Sequence, residues 1–111
     1  MVNLALARAV GSLRKSRVKR EIIALLASNP RKMFRLVDIA RNTRNYASTV
    51  YGALHGLDGH FKRESSLVEL GLVEVVKVEY FKLYKISSLG MRTWKLFTKT
   101  YFYEVHNSLR A

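Results

Sequence analysis

The sequence contains no cysteine and only one proline among its 111 residues. The absence of cysteine excludes a disulfide scaffold and any zinc site with Cys ligands. No hydrophobic run is long enough for a transmembrane helix, and no Gly-rich loop precedes a Lys as it does in phosphate-binding loops. Repeats, low-complexity tracts and Gly/Ser-rich linkers are also missing. We therefore expect one domain.

Acidic residues are scarce, because 8 Asp and Glu stand against 20 Lys and Arg and give a formal net charge of +12. Hydrophobic residues make up 49% of the chain, enough to bury a core, so the chain is not a disordered basic tail. A small and strongly basic domain favours nucleic acid as its partner, with an anionic membrane surface in second place.

The positive charge is concentrated near the start, where residues 1–33 carry eight basic residues and one acidic residue. Like charges this close repel each other unless an anion lies nearby. This basic run is therefore either a solvated helix start or an anion-binding segment. Its amphipathic, Arg-rich and acid-poor character also resembles a mitochondrial transit peptide. The basic run consists of Arg14, Lys15, Arg17, Lys19 and Arg20.

Hydrophobic periodicity and capping residues predict helices over 2–13, 16–28, 36–43, 46–57 and 91–109. Ser16 is the expected N-cap of the second helix, and residues 33–35 form a short extended bridge. Val-rich and aromatic segments predict a hairpin with strands at 72–79 and 82–87. A helical turn at 65–70 would close at Gly71 in a left-handed conformation, and residues 88–90 would break the chain. The predicted fold class is α+β, mainly α.

The order helix, short strand, helix, tight turn, helix, hairpin, helix resembles that of winged helix-turn-helix proteins. Residues 70–74 resemble the entry to the wing, and residues 82–86 with 89–90 resemble its second strand and exit. The flanking helices are similar to those of small archaeal transcription regulators of MarR-like type. Two residues depart from the family pattern, Arg44 in the turn and Asn45 after it. The helix-turn-helix resemblance is carried by Asp38-Ile39-Ala40, Ser48-Thr49-Val50 and Leu54.

This resemblance implies a single winged-helix domain over residues 1–111. It comprises an N-terminal helix in 1–15, a core in 16–88 and a C-terminal dimerisation helix in 90–111. The implied function is sequence-specific binding of double-stranded DNA as a homodimer, as a transcription regulator in the cytoplasm on the nucleoid. We expect no enzymatic activity, catalytic residue, cofactor, metal or membrane partner.

The helix predicted at 46–57 would enter the major groove. If Val50, Leu54 and Leu57 point inward, the base contacts fall to Ser48, Thr49, Tyr51 and His55. This helix carries no Lys or Arg, so we expect DNA-backbone contacts mainly from the residues around it. The expected backbone contacts are Arg44, Tyr46, Gly52, Lys62, Arg63, Lys77, Lys82 and Lys85.

Eight of the twelve aromatic residues fall within residues 80–103, more than one small core needs, and surplus apolar surface on a terminal helix favours a partner helix. We expect Tyr80 and Phe81 to pack on the core or on a partner rather than to probe a DNA groove. The expected dimer interface comprises Leu6, Val10, Leu13, Trp94, Phe97, Tyr101, Val105 and Leu109.

Three other functions fit the same order of elements. A winged helix can dock onto other proteins, and the lack of Lys and Arg in the third helix of the core favours this. A sequence-independent architectural DNA-binding protein and an RNA-binding winged helix are further alternatives. His55, Asp58 and His60 lie at the end of a helix and in a loop, without another strong ligand nearby. We therefore expect no metal site there.

Overall fold

The computed structural model describes residues 4–57 and 62–110, and the side chains as far as residue 100. Within these ranges five α-helices and a three-stranded antiparallel sheet of order β1-β3-β2 form an α+β, mainly helical fold, as predicted. A short 3-10 turn covers Arg63–Ser65. The helices are α1 (Leu4–Lys15), α2 (Arg17–Ser28), α3 (Leu36–Thr43), α4 (Ala47–His55) and α5 (Ser88–Arg110). The strands are β1 (Phe34–Arg35), β2 (Val73–Val78) and β3 (Phe81–Ile86).

A single residue, Ser16, separates α1 from α2. Its hydroxyl oxygen accepts a hydrogen bond from the backbone N–H of Lys19 at 3.2 Å, so the predicted N-cap is confirmed. α1 extends to Lys15 and not only to residue 13, because Arg20 satisfies its last turn. The Arg20 guanidinium donates to the carbonyl oxygens of Leu13 at 2.9 Å and Arg14 at 3.0 Å, in the last turn of the helix, where carbonyl groups lack the usual helical donors.

The turn between α3 and α4 begins at Arg44, which adopts a left-handed conformation with φ 57°. The N–H groups of Arg44 and Asn45 donate to the carbonyl oxygens of Arg41 at 3.3 Å and Ala40 at 3.0 Å, a pattern that closes many helices. The side-chain amide of Asn45 donates to a carboxylate oxygen of Glu21 at 3.4 Å. Hydrogen bonds therefore hold a polar residue at a position that the resembled family fills with an apolar one.

α4 ends at His55, earlier than the predicted limit of residue 57. The backbone N–H groups of Leu67 and Val68 donate to carbonyl oxygens in the last turn of α4, both at 3.0 Å, and so replace the missing helical partners. Leu57 lies beyond the helix and is 42% exposed. Our expectation that Leu57 points inward is wrong for this reason.

The hairpin is close to the predicted one, with strands within one residue of the expected limits. Its register runs from Val73 opposite Ile86 to Val78 opposite Phe81, which leaves a two-residue loop at 79–80. Glu79 in that loop has φ 55°, as the first position of such tight hairpin loops requires. The predicted bridge at 33–35 contributes β1, which pairs with β3.

The core collects apolar side chains from all the helices and the sheet. α2 supplies the largest share, and the third and fourth helices and the two hairpin strands close over it. The turn before β2 also contributes, and Gly71 closes it with φ 77°, as predicted. Fully buried core residues include Leu13, Ile22, Ile23, Leu26, Ile39, Val50, Leu54, Leu67 and Leu72.

α5 begins at Ser88, so the predicted break at 88–90 is wrong. The hydroxyl of Ser87 accepts from the N–H of Gly90 at 2.9 Å and donates to the carbonyl oxygen of Gly71 at 2.5 Å. The first bond caps α5, and the second ties its start to the beginning of β2. Gly90 lies so close to Leu72 that a side chain there would overlap the Leu72 carbonyl oxygen.

We predict opposite effects for two glycine-to-alanine substitutions within helices. Gly90→Ala should destabilise the protein by about 1–3 kcal/mol, because its Cβ would overlap the Leu72 carbonyl and lie 2.7 Å from Ile86. Gly11→Ala should stabilise it by up to about 1 kcal/mol, because a Cβ there meets nothing within 4 Å and Ala favours helix. Urea denaturation of both variants measures this, and equal effects would contradict the packing described.

Candidate nucleic-acid interface

The outer face of α4 presents small hydroxyl and aromatic side chains. Val50, Ala53 and Leu54 are fully buried and anchor the opposite face in the core. Ser48 is consequently exposed and Thr49 is half-buried, as their predicted roles require. These hydroxyl groups lie in the first turn of the helix.

Two aromatic residues extend this exposed surface. Tyr46, directly before α4, is 83% exposed, and Tyr51 on the helix is 41% exposed. Gly52, in contrast, is buried, so the predicted contact between Gly52 and a phosphate is wrong.

His55 is half-buried because it connects α4 to the hairpin. Its Nε2 lies 2.7 Å from the hydroxyl of the buried Tyr84 on β3, and its ring centroid lies 4.8 Å from that of Tyr51. Burial, and then the nearby charge of Lys82, lower the pKa of His55 below 6.5. His55 therefore connects α4 to the sheet. The His55 ring is not freely exposed for a base contact.

Two lysines face each other across the hairpin near its tip. Lys77 and Lys82 are a cross-strand pair, and both are exposed. Side chains alternate between the faces of a sheet, so the pair shares a face with Val75 and the buried Tyr84, which point to the helices. Like charges directly opposite each other destabilise a sheet, and no carboxylate of the described residues forms an ion pair with either lysine.

The hairpin tip exposes its aromatic residues. Tyr80 is 99% exposed and Phe81 is 59% exposed, so the expectation that they cap the core is wrong. The two-residue loop carries Tyr80 beyond the last cross-strand pair, where no core remains to cover it, so packing on a partner is the part of the expectation that stays a prediction. Lys85, nearer the base of the hairpin, is half-buried and lies opposite Glu74.

A groove between α4 and the hairpin brings several of these residues together. It has a volume of about 450 Å³ and is lined by Tyr51, Tyr80, Phe81 and Lys82 together with residues at the start of α3. Arg35, directly before α3, also lines the groove, and sequence reasoning missed it. No local pattern marks Arg35 as a surface residue of this groove, because only the pairing of β1 with β3 brings it there.

Arg35 is oriented by a carboxylate in the first turn of α3. Its Nε lies 3.0 Å from Asp38, and its backbone N–H donates to the same carboxylate at 3.3 Å. The hydrogen bond from Arg35 lowers the pKa of Asp38. This pair fixes the guanidinium at one wall of the groove.

The two basic residues after α4 lie at different clefts. Arg63 lines a cleft of about 430 Å³ with Tyr51 and His55, beside the exposed face of α4. Lys62 lines a separate cleft with Lys19 of α2. The structure thus brings Arg63, but not Lys62, beside the exposed face of α4.

The basic run of α1 and α2 is only partly exposed to solvent, because several of its residues form contacts within the chain. Lys19 is buried, and its ammonium group donates to Ser12 and to the carbonyl oxygen of Ser65. Arg17 forms an ion pair with Glu21 at 3.6 Å, and Arg20 caps α1. Burial lowers the pKa of Lys19.

Part of the predicted dimer interface is buried within a single chain. Leu13 is fully buried and Phe97 is 5% exposed, so assigning them to a partner is wrong. α1 and α5 pack on each other and place both residues in the core. Val10 and Trp94 pack against the core and stay half-buried, as does Leu6. Outside the described side chains are Tyr101, Val105 and Leu109.

Neither a metal-ligand cluster nor a membrane-spanning helix is found in the described part of the chain. The His, Asp and Glu side chains described form no group of three that could hold a metal ion; Asp58 and His60 lie outside the described residues. No helix among those described is both long and apolar enough to cross a membrane.

Comparisons with known proteins place the chain among relatives. A family model described as EarA-like matches residues 9–96. The uncharacterized protein MJ0905 of Methanocaldococcus jannaschii is 36% identical over 83 residues, which cover 75% of this chain and 75% of that protein. No solved structure matches the chain. The region matched by the family model includes α4, the hairpin and the groove between them.

We predict that the stability of the protein falls as the pH drops below about 6.5, which is the pKa of His55 in the unfolded chain. The pKa of His55 is lowered in the folded chain, so the unfolded chain takes up the proton first and gains stability relative to the folded one. Urea denaturation between about pH 8 and pH 5 measures this decrease. His55→Gln should reduce the slope, and an unchanged slope in that variant would contradict the role assigned to His55.

Proposed function

The chain belongs to the EarA-like family, and we propose that it is a winged helix-turn-helix protein that binds double-stranded DNA as a homodimer and regulates transcription. In this proposal α3 and α4 are the helix-turn-helix, α4 enters the major groove and the hairpin is the wing. The site of action is the nucleoid in the cytoplasm. The order of elements and the basic charge support this reading.

The Lys77–Lys82 pair is the observation that carries the proposal. The two lysines are directly opposite each other on neighbouring strands at the wing tip, and neither forms an ion pair with a described carboxylate. Their mutual repulsion is relieved when an anion lies between or beside them. Their sheet face also points to the helices, and the charge of Lys82 reaches His55 on α4. A DNA backbone that follows α4 would pass this point.

Arg44 provides a second, independent support. A residue other than glycine in the left-handed region costs about 1–2 kcal/mol, and a strained backbone is a reason to look for function. Arg44 is exposed at the start of the turn that leads into α4. A guanidinium there lies beside the helix that would occupy the groove, where it can hold a phosphate through paired hydrogen bonds.

Sequence would be read mainly by the first half of α4. Ser48 and Thr49 can donate to or accept from several bases, so each discriminates weakly. Tyr51 adds an apolar ring with a hydroxyl at the edge of the groove. Arg35, Arg44 and the wing lysines contact phosphates in this proposal, and such interactions position a protein without reading sequence.

Dimerisation would use the apolar surface that α1 and α5 leave exposed. Leu4 is 72% exposed and Leu96 is 40% exposed. α5 has 23 residues, and Phe97 is its last buried residue among the described side chains. In sequence, the apolar positions 101, 105 and 109 continue the spacing that Phe97 begins. A second copy could cover this continuation.

Docking onto another protein is the second candidate function. The face of the hairpin that points away from the helices carries Val76, Val78, Phe81 and Leu83, as two cross-strand pairs. Val78 and Phe81 are 48% and 59% exposed. An exposed apolar strip on a sheet is typical of interaction surfaces, and the lack of Lys and Arg in α4 also agrees with it.

We predict that Lys77→Gln combined with Lys82→Gln weakens binding to every duplex alike. The log–log slope of affinity against salt should become shallower by about 0.9 for each phosphate that the variant no longer neutralises, or about 1.8 for two. Fluorescence anisotropy with a duplex of about 30 base pairs, spanning two half-sites one turn apart, at several salt concentrations measures both quantities.

The matched control is Lys95→Gln combined with Lys99→Gln on α5, which removes the same charge from exposed positions. The control should alter the salt slope much less than the wing variant. Equal changes in the two variants would contradict a specific role for the wing. Absence of binding by the unmodified protein, even at low salt, would overturn the DNA proposal and leave protein docking.

We predict that the protein forms a dimer of twice 12.8 kDa at micromolar concentration. Leu96→Glu should shift the population to monomer, because it places a charge in the proposed interface where the single chain leaves the side chain 40% exposed. Light scattering coupled to size exclusion measures the mass, with Lys95→Gln as the control. A monomeric unmodified protein would contradict the dimer.

A further inference from the structure

A separate basic cleft lies between α1 and the segment that follows α4. Its volume is about 600 Å³, and its lining contains four basic residues and no Asp or Glu. Clefts of this size are typical of small-molecule sites. No residue of α4 or of the hairpin lines it. The four basic residues are Arg8, Lys15, Lys19 and Lys62.

Lys19 is the buried member of this group, at 5% exposure. Its ammonium group donates to the hydroxyl of Ser12 at 2.9 Å and to the carbonyl oxygen of Ser65 at 2.7 Å. No described carboxylate forms an ion pair with it. An ammonium group has three donors, so one remains after these two bonds. A buried charge without a counter-charge is costly, and an anion in the cleft would offset that cost.

The N-terminus of α2 adds to the positive potential. Ser16, the N-cap of α2, lines the cleft together with Lys19, and helix N-termini attract anions through their free N–H groups and the helix dipole. Gly11 of α1 also lines it, and a Cβ at Gly11 would meet nothing within 4 Å. The cleft therefore has both the charge and the open space that an anion needs.

We propose that this cleft binds a phosphate-bearing anion, held by the Lys19 ammonium group and the three other basic side chains around it. Phosphate suits the site because it is negatively charged and its oxygens can accept several hydrogen bonds. Two sources share this chemistry, a free phosphorylated small molecule and a phosphate of the DNA backbone. The separation of the cleft from α4 and the hairpin favours the free molecule, so the proposal does not depend on DNA binding.

The first arm of the test is calorimetric titration of the DNA-free protein with inorganic pyrophosphate at constant ionic strength. Lys19→Met keeps the aliphatic stem and removes the charge, and Ser12 retains its own hydrogen bond to the Ser65 carbonyl oxygen at 3.0 Å. Removal of a charged hydrogen bond should weaken pyrophosphate binding at least about tenfold. Gly11→Leu should weaken it as well by filling the cleft, whereas Gly11→Ala should bind nearly as the unmodified protein does.

The second arm titrates Lys19→Met with a duplex at several salt concentrations. If a free anion is the occupant, pyrophosphate binds as described and the salt slope of DNA binding is unchanged. If a backbone phosphate is the occupant, pyrophosphate binds weakly and the slope becomes shallower by about 0.9. Either result supports a phosphate site. The proposal is overturned if the unmodified protein and Lys19→Met behave alike in both arms.

Discussion

The hydrogen bond between His55 and Tyr84 connects the two elements on which the proposed interface depends. It joins α4 to β3 at 2.7 Å, and backbone bonds from Leu67 and Val68 secure the same end of the helix. These contacts hold the hairpin beside α4, and Tyr51 and Lys82 both line the groove between the two elements. Aromatic residues and two cationic residues, Lys82 and Arg35, line this groove although they are far apart in sequence.

The large positive charge of the chain is used in three different ways. Arg20 stabilises the end of α1 by donating to its carbonyl oxygens. Lys19 lies buried between α1 and the segment after α4, without a described carboxylate as partner. Lys77 and Lys82 remain exposed at the hairpin tip. A net charge says only that an anionic partner is favoured, whereas the position of each side chain decides whether it builds the fold or faces a partner.

Sequence reasoning succeeded where the signal is local. The cap at Ser16, the turn closed by Gly71 and the hairpin strands follow from short-range patterns, and all of them are present. It failed in most cases where a distant segment intervenes. α4 ends at His55 because Leu67 and Val68 take over its carbonyl oxygens. Burial of Gly52, Leu13 and Phe97 likewise depends on helices that pack from elsewhere in the chain. The cap that Ser87 provides for α5 is a local signal that sequence reasoning missed.

The sequence alone determined the fold class, the sites of most helices and strands and the strongly basic character, because periodicity, caps and charge are properties of neighbouring residues. Tertiary structure decided which basic residues share a surface. Arg35 reaches the groove only through the pairing of β1 with β3, and Lys62 joins Lys19 at a cleft on another side. Contacts between residues distant in sequence depend on the packing of whole elements, which no local pattern encodes.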